Sequence, residues 1–288
     1  MFRLHGKLPR VFASALIGSS LALGVYFVRT SSPRPVSAAR IDVPCERATR
    51  SESELTSRYF YNPSYGWFDR THFKAGNPAQ VIADVRAAVE AGGGTVTVAQ
   101  NVHDGAAGYS ATYTISADVT PQNDMAVALG IYKDWSYRFE SWQGELPQRL
   151  AGMLSPFAVE DLPSHYVGFY AAAHHLEPFD VFACYMPGTE QTGDSPPRFT
   201  GSQLMATSDD DVGLNTPLRL VNQEMRPMTL LKSGWENVPW PDEMQMEVID
   251  SASGLWWLAI DETWYLDEAH QLSPPVPSLI GPYDSILE

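Results

Sequence analysis

The chain has 288 residues, 44% of them hydrophobic and 18% charged, with 8 Trp, 13 Tyr and 12 Phe. That composition excludes wholesale disorder and supplies large side chains for a packed core. With 19 basic against 34 acidic residues the net charge is -15, which excludes a phosphate-tracking nucleic-acid binder and favours cations or cationic partners. Arg3, Lys7, Arg10, Arg29 and Arg34 all precede Ala38 with no acid among them, so the remainder is more acidic still.

Residues 1–10 form a basic n-region, and residues 11–28 carry no charge. This is the pattern of an export signal or of a transmembrane anchor, and it predicts an N-terminal membrane or signal helix. The chain is expected to contact membrane through residues 11–28 and to place its body in a membrane-anchored or periplasmic, extracytoplasmic position. Residues 29–57, rich in Ser, Pro and charge, read as a stalk. Cys45 and Cys184 are the only cysteines. They can pair in an oxidising compartment or remain separate thiols.

Residues 58–272 read as one globular α+β domain with a helical middle and two β-rich portions. An aromatic-rich strand or loop over residues 59–73 delivers Asp69 and His72. Asn77-Pro78 then caps a helix over residues 78–91, ended by Gly92-Gly93-Gly94. Alternation predicts strands at 95–100 and 110–119. A long helix is expected from Thr120-Pro121 to Gln143, with Ala128, Ile131, Tyr132, Trp135, Phe139 and Trp142 as its core stripe. A further helix runs from Asp161 to about His175. Residues 188–217 are expected to be a long exposed loop. Short strands follow at 218–222, 229–233, 244–250 and 255–260, with a hairpin turn at 251–254. A Pro-rich tail occupies 273–288.

The order Gly66-x-x-Asp69-x-x-His72, an aromatic helix with Glu140 and Trp142, then Ser155-Pro156-x-x-x-Glu160-Asp161-Leu162-x-Ser164-x-x-x-Gly168, resembles an uncharacterised family of exported bacterial proteins. The likeness covers about residues 66–173. The family's long helix carries a His beside a Glu, where this chain has Tyr137-Arg138. The resemblance implies export and no assigned reaction.

His72, Glu140, Asp161 and His165 are the candidate catalytic residues, and His72 and His165 the candidate metal ligands. Imidazole serves as base or ligand near neutral pH, and a carboxylate orients it. Asp161 and His165 stand four apart, on one helical face. Each residue also has an ordinary reading. Asp161 is a natural N-cap, and Glu140, off the apolar stripe, can be solvated or paired with Lys133 or Arg138. His165 can pack near Tyr166, and His72 can brace its loop through a backbone carbonyl. His174-His175 suits a helix C-terminus, and Asp209-Asp210-Asp211 lacks calcium-loop spacing. Ser64, Ser155 and Ser164 lack a nucleophile elbow. Gly92-Gly93-Gly94 precedes a strand, so it is no phosphate cradle. Trp235, Trp240, Trp256, Trp257 and Trp264 can stack on sugar rings. Trp256 and Trp257 would point to opposite faces of a strand, so one at most faces a ligand.

The function expected first is an exported envelope protein binding a partner protein or a wall component, with no nucleic acid. The alternative is an extracytoplasmic hydrolase using the His/carboxylate site, with a divalent metal as its cofactor.

Overall fold

The computed structural model describes residues 56–102, 107–143, 158–194, 224–231 and 234–265. Contacts divide the chain into Met1–Arg40 and Ile41–Glu288, and every described residue belongs to the second unit. The apolar segment 11–28, most of the stalk, the strand expected at 218–222 and the tail lie outside the described residues. Among the described residues no helix is long and apolar enough to cross a membrane.

The fold is mixed α+β. Strands β1 (Tyr59–Asn62), β2 (Gly66–Asp69), β5 (Glu190–Gly193), β6 (Met228–Leu231) and β7 (Gly234–Asn237) form one sheet in the order β5-β1-β2-β6-β7. Its pairs are antiparallel except β2 with β6, which run parallel. Strands β3 (Gly94–Val102), β4 (Ala107–Ile115) and β8 (Trp256–Tyr265) form a second, antiparallel sheet in the order β3-β4-β8. The helices are α1 (Pro78–Glu90), α2 (Asp124–Gln143), α3 (Asp161–His174) and α4 (Pro178–Tyr185), with a 3-10 turn at Arg70–Lys74.

Local chemistry explains several boundaries. Asn77, at φ 50, caps α1 by accepting from the Gln80 amide, and Pro78 takes a first-turn position where no amide is needed. Val81, Ile82, Val85 and Ala88 form the buried face of α1. α2 begins at Asp124 and not at Thr120-Pro121, because the Asn123 side chain accepts from the Thr120 amide and folds residues 120–123 into a turn. β4 stops at Ile115 and does not reach 119. The Ser116 hydroxyl accepts from the Asp118 amide, and the Val119 amide donates to the Ser116 carbonyl.

Residues 244–250 are not the strand expected there. Met244 closes a 3-10 turn, and the segment spends its backbone groups on helices. The Tyr166 hydroxyl donates to the Met244 carbonyl and accepts from the Met246 amide, while the Ile249 amide donates to the Ala126 carbonyl. The 251–254 turn is a 3-10 turn closed by Gly254 at φ 73, and it leads into β8 without joining two paired strands. α4 had no counterpart in the sequence reading. Within the expected 188–217 loop, residues 190–193 pair with β1, and residues 195–217 are not described.

The core lies between the two sheets' inner faces and the helices. Tyr109, Tyr113 and Trp256 of the three-stranded sheet face α2, where Tyr109 stacks on Trp142 and the Tyr113 hydroxyl donates to Asp134. Phe60 and Phe68 of the other sheet meet Phe182 of α4. Cys184, on α4, is disulfide-bonded, and Cys45, the only other cysteine, lies outside the described residues.

α2 passes so close to the 245–250 segment that a Cβ on Gly130 would stand 1.9 Å from the Ile249 carbonyl oxygen. Gly130→Ala therefore sets a helix-propensity gain of about 1 kcal/mol against overpacking of about 1–3 kcal/mol. Because the clash is with backbone, the overpacking wins. Urea unfolding of the variant should show a net loss of stability; equal or greater stability than wild type would contradict this packing.

Candidate functional site

Four elements bring the chemistry together. β2 ends at Asp69, the 3-10 turn carries His72, α2 brings Glu140, and the first turns of α3 bring Asp161 and His165. All four residues singled out from the sequence converge, and Asp69 and Glu160 join them.

Asp69 is the hub. It caps the 3-10 turn by accepting from the Thr71 amide at 2.9 Å and from its hydroxyl at 2.8 Å. Arg58 donates to both carboxylate oxygens, with Nη2 at 2.7 Å from Oδ2. The Asp69 amide donates to Ser164 Oγ at 2.7 Å, and that hydroxyl donates to the Glu160 carbonyl at 2.6 Å. The end of β2 is thus stitched to α3. Gly168, one turn further along α3, permits the contact: a Cβ there would stand 1.8 Å from the Phe73 carbonyl oxygen.

His72 Nδ1 stands 3.2 Å from Asp69 Oδ2. The carboxylate accepts a hydrogen bond from Nδ1–H and leaves Nε2 turned inward, where it lies 3.5 Å from Asp161 Oδ1 and 4.0 Å from Glu140 Oε1. The other oxygen of Asp161 accepts from the Ala158 amide at 2.9 Å. The His72 and His165 rings are 5.2 Å apart. His165 is fully buried among Tyr132, Trp135 and Phe139, and neither ring nitrogen has a hydrogen-bond partner among the described residues.

The ordinary readings of these residues are corrected accordingly. Glu140 is 0% exposed and not solvated; Lys133 pairs with Glu224, and Arg138 bridges Asp134 and Asp261. The N-cap of α3 is Glu160, without a side-chain capping bond, and Asp161 is the first helical residue. His165 does not pack on Tyr166, which stacks on Trp240. His72 faces a carboxylate where a backbone carbonyl was expected. Arg58, Asp69, Glu160 and Ser164 were not among the candidates. Asp69 and Glu160 lie inside the motifs quoted above, while Arg58 carries no spacing signal.

Electrostatics follow from the burial of four carboxyl groups beside one guanidinium and two imidazoles. Burial opposes the Asp69 charge, but the hydrogen bonds and charges of His72 and Arg58 outweigh it and hold its pKa below the ordinary carboxylate range. Burial also opposes the His72 charge. Asp69, through its hydrogen bond and charge, and then Glu140 raise the His72 pKa nonetheless. Burial, then the Asp69 charge, pushes Glu160 up to about 7. Burial, then Glu140, Glu160 and Asp69, pushes Asp161 well above its usual value. Burial, then His72, keeps the His165 ring neutral by pushing its pKa well below normal.

Two groups of ligand atoms lie within 4.8 Å of one another: His72, Glu140 and His165, and Asp69, His72 and Asp161. Two ligands each about 2.1 Å from a tetrahedral ion stand roughly 3.4 Å apart, so the 3.5 and 4.0 Å separations need only small shifts to close on a cation. Asp69 is already held by Arg58 and Thr71. The first group therefore suits first contact with an ion, and Asp69 suits the outer carboxylate that orients a ligand imidazole.

Glu160 links this electrostatic balance to stability. Its folded pKa is raised from 4.5 to about 7, so the stability it contributes is present below about pH 4.5 and is lost as pH rises through about 7. Glu160→Gln removes that loss. In chelator-treated protein, the melting temperature of the variant should gain on wild type between pH 5 and pH 8; a constant difference across that range would refute the raised pKa.

Comparison of the chain with protein-family models, with curated proteins and with solved structures finds no match.

Proposed function

We propose that this chain is an extracytoplasmic hydrolase whose centre is a divalent cation held by His72, His165 and Glu140. The observation that carries the reading is His165. Its two ring nitrogens are buried without a hydrogen-bond partner among the described residues, beside a second imidazole whose Nε2 points at two carboxyl groups. An unsatisfied buried polar atom costs about 1–3 kcal/mol, and a cation would remove that cost at the one nitrogen it binds while balancing the surplus carboxylates. Two imidazoles and a carboxylate form the donor set of catalytic zinc sites, which keep a further position open. The 15% exposure of the His72 side chain supports such an opening, since an enclosed structural ion would not need one.

When bound, the ion would supply Lewis-acid chemistry, lowering the pKa of a coordinated water to about 7. Asp161, beside His72 Nε2 and with one oxygen tied to the Ala158 amide, is placed to take the proton of the attacking water and return it to the leaving group. Asp69, fixed by Arg58, holds His72 in the Nδ1–H tautomer that keeps Nε2 available. The apolar segment at 11–28, behind a basic n-region, supports an extracytoplasmic position.

Metal analysis and turnover of a panel of nitrophenyl esters, phosphates and glycosides test this reading. The expected result is one divalent ion per chain, with a chelator lowering the melting temperature and the metal restoring it. His165→Phe should lose the ion and the activity. Asp161→Asn should keep the ion and lose about 10²–10⁴-fold in rate. Protein that binds no zinc, manganese or iron, together with a His165→Phe variant more stable than wild type, would show His165 to be an ordinary core residue. A bound ion without turnover of any substrate class would make the centre structural.

A further inference from the structure

We propose that the outer face of the three-stranded sheet binds an uncharged polysaccharide strand, stacked on Trp257 and hydrogen-bonded by a block of threonines. Burial alternates over Thr95–Val98 and Ala111–Ile115, whereas Ala99 and Ser110, in the next outward row, are both 4% exposed and bound the patch. Val96, Val98, Tyr113 and Trp256 point to the core, while Thr95, Thr97 and Trp257 are exposed and Thr112 and Thr114 half-buried. The register sets two rows across the sheet. Thr95 pairs with Thr114, which pairs with Trp257; Thr97 pairs with Thr112, which pairs with Ile260 across a β-bulge. Of the two adjacent tryptophans, one is 2% exposed and the other 48%.

The surface these six residues make has a definite chemistry. Thr97 Oγ1 and Thr112 Oγ1 stand 2.8 Å apart, so their hydroxyls form a connected block. Branching at Cβ restricts the rotamers of all four threonines, so the block is ordered before a ligand arrives. Each hydroxyl offers one donor and two acceptor positions, which matches a ligand that is itself a run of hydroxyls. Trp257 adds a flat apolar face of the kind that stacks on the C–H side of a pyranose, with Ile260, 54% exposed, extending it.

Charge selects the occupant. On a chain of net charge -15, these two rows hold no ionisable side chain, and the exposed Glu262, paired with Ser110, stands in the row beside them. A polyanion is repelled by the body around the patch, and a cationic partner finds no carboxylate within the two rows and one, Glu262, at their edge. A second copy would press two strongly negative bodies together. An added peptide strand would join an edge of the sheet and leave this face free. An uncharged glycan meets none of these objections.

The full-length chain should co-sediment with at least one of insoluble cellulose, insoluble chitin and insoluble β-1,3-glucan, and the three arms distinguish the source of the pyranose face. Trp257→Ala should weaken that binding by about tenfold. Thr97→Val combined with Thr112→Val, which keeps the shape and removes the hydroxyls, should weaken it several-fold. Both variants should keep the wild-type melting temperature and metal content, because their side chains face away from the core. Wild type remaining in the supernatant with all three materials would overturn the proposal, as would equal binding by either folded variant. Dimerisation in sedimentation equilibrium that Trp257→Ala abolishes would assign the face to a second copy instead. None of these outcomes bears on the cation at His72.

Discussion

Charge withdrawn from water is the constraint on which this domain is organised. Asp69, Glu140, Glu160 and Asp161 are each at most 4% exposed and lie around one imidazole pair. The effective penalty for burying one ion is several kcal/mol, so four carboxylates cannot all stay ionised there without counter-charge. The molecule answers differently for each. Asp69 has the Arg58 guanidinium and the His72 ring and stays charged. Glu160 and Asp161 hold their protons to higher pH. No single element can do this, because the groups come from β2, the 3-10 turn, α2 and α3.

The same requirement explains the close approaches that join those elements. Ser164 relays a hydrogen bond from the Asp69 amide to the Glu160 carbonyl, and the missing side chain at Gly168 lets α3 lie against the Phe73 carbonyl. The aromatic wall of Tyr132, Trp135 and Phe139 then fixes the His165 ring from the other side. Packing and chemistry are one arrangement here. The rings that make the core dense also keep the site dry, and dryness gives each charge its large effect.

Much of the site was legible in the sequence, because its members follow short-range rules. Asp161 and His165 share a helical face by their spacing, and Asp69 and His72 sit three apart at the end of an aromatic strand. Glu140 was less legible. Helical phase put it off the apolar stripe, a criterion that assumes one solvated side. α2 has nearly none along its length, with Ala126 to Tyr132, Trp135, Phe139, Glu140 and Trp142 all buried. Arg58 was not legible at all, since its partner is chosen by strand pairing and not by spacing. In the fold, α1 and β3 were readable from caps and alternation. The 244–250 segment was misread because its apolar alternation serves contacts with the Tyr166 hydroxyl and the Ala126 carbonyl, which a local pattern cannot distinguish from a ladder. Trp256 and Trp257 show the opposite case: strand geometry alone required one to face inward and one outward.

On the proposed reading, protons and a divalent cation would be alternative solutions to one electrostatic problem in this interior. Each would neutralise Asp161, but only a cation would also satisfy one of the His165 nitrogens, because a neutral ring in a hydrocarbon wall gains nothing from protons held elsewhere. Raising the pH strips protons from the carboxyl groups and strengthens the cation's claim, since ligands must be deprotonated to bind. Arg58 and Asp69 stand apart from this exchange. Their pair stays charged whichever solution prevails, so the orientation of His72 does not depend on which ion fills the site. A network built only for stability would gain from replacing such charges with packed apolar groups. Keeping a fixed Arg58–Asp69–His72 brace beside an exchangeable set of carboxyl groups is what a centre that handles protons requires.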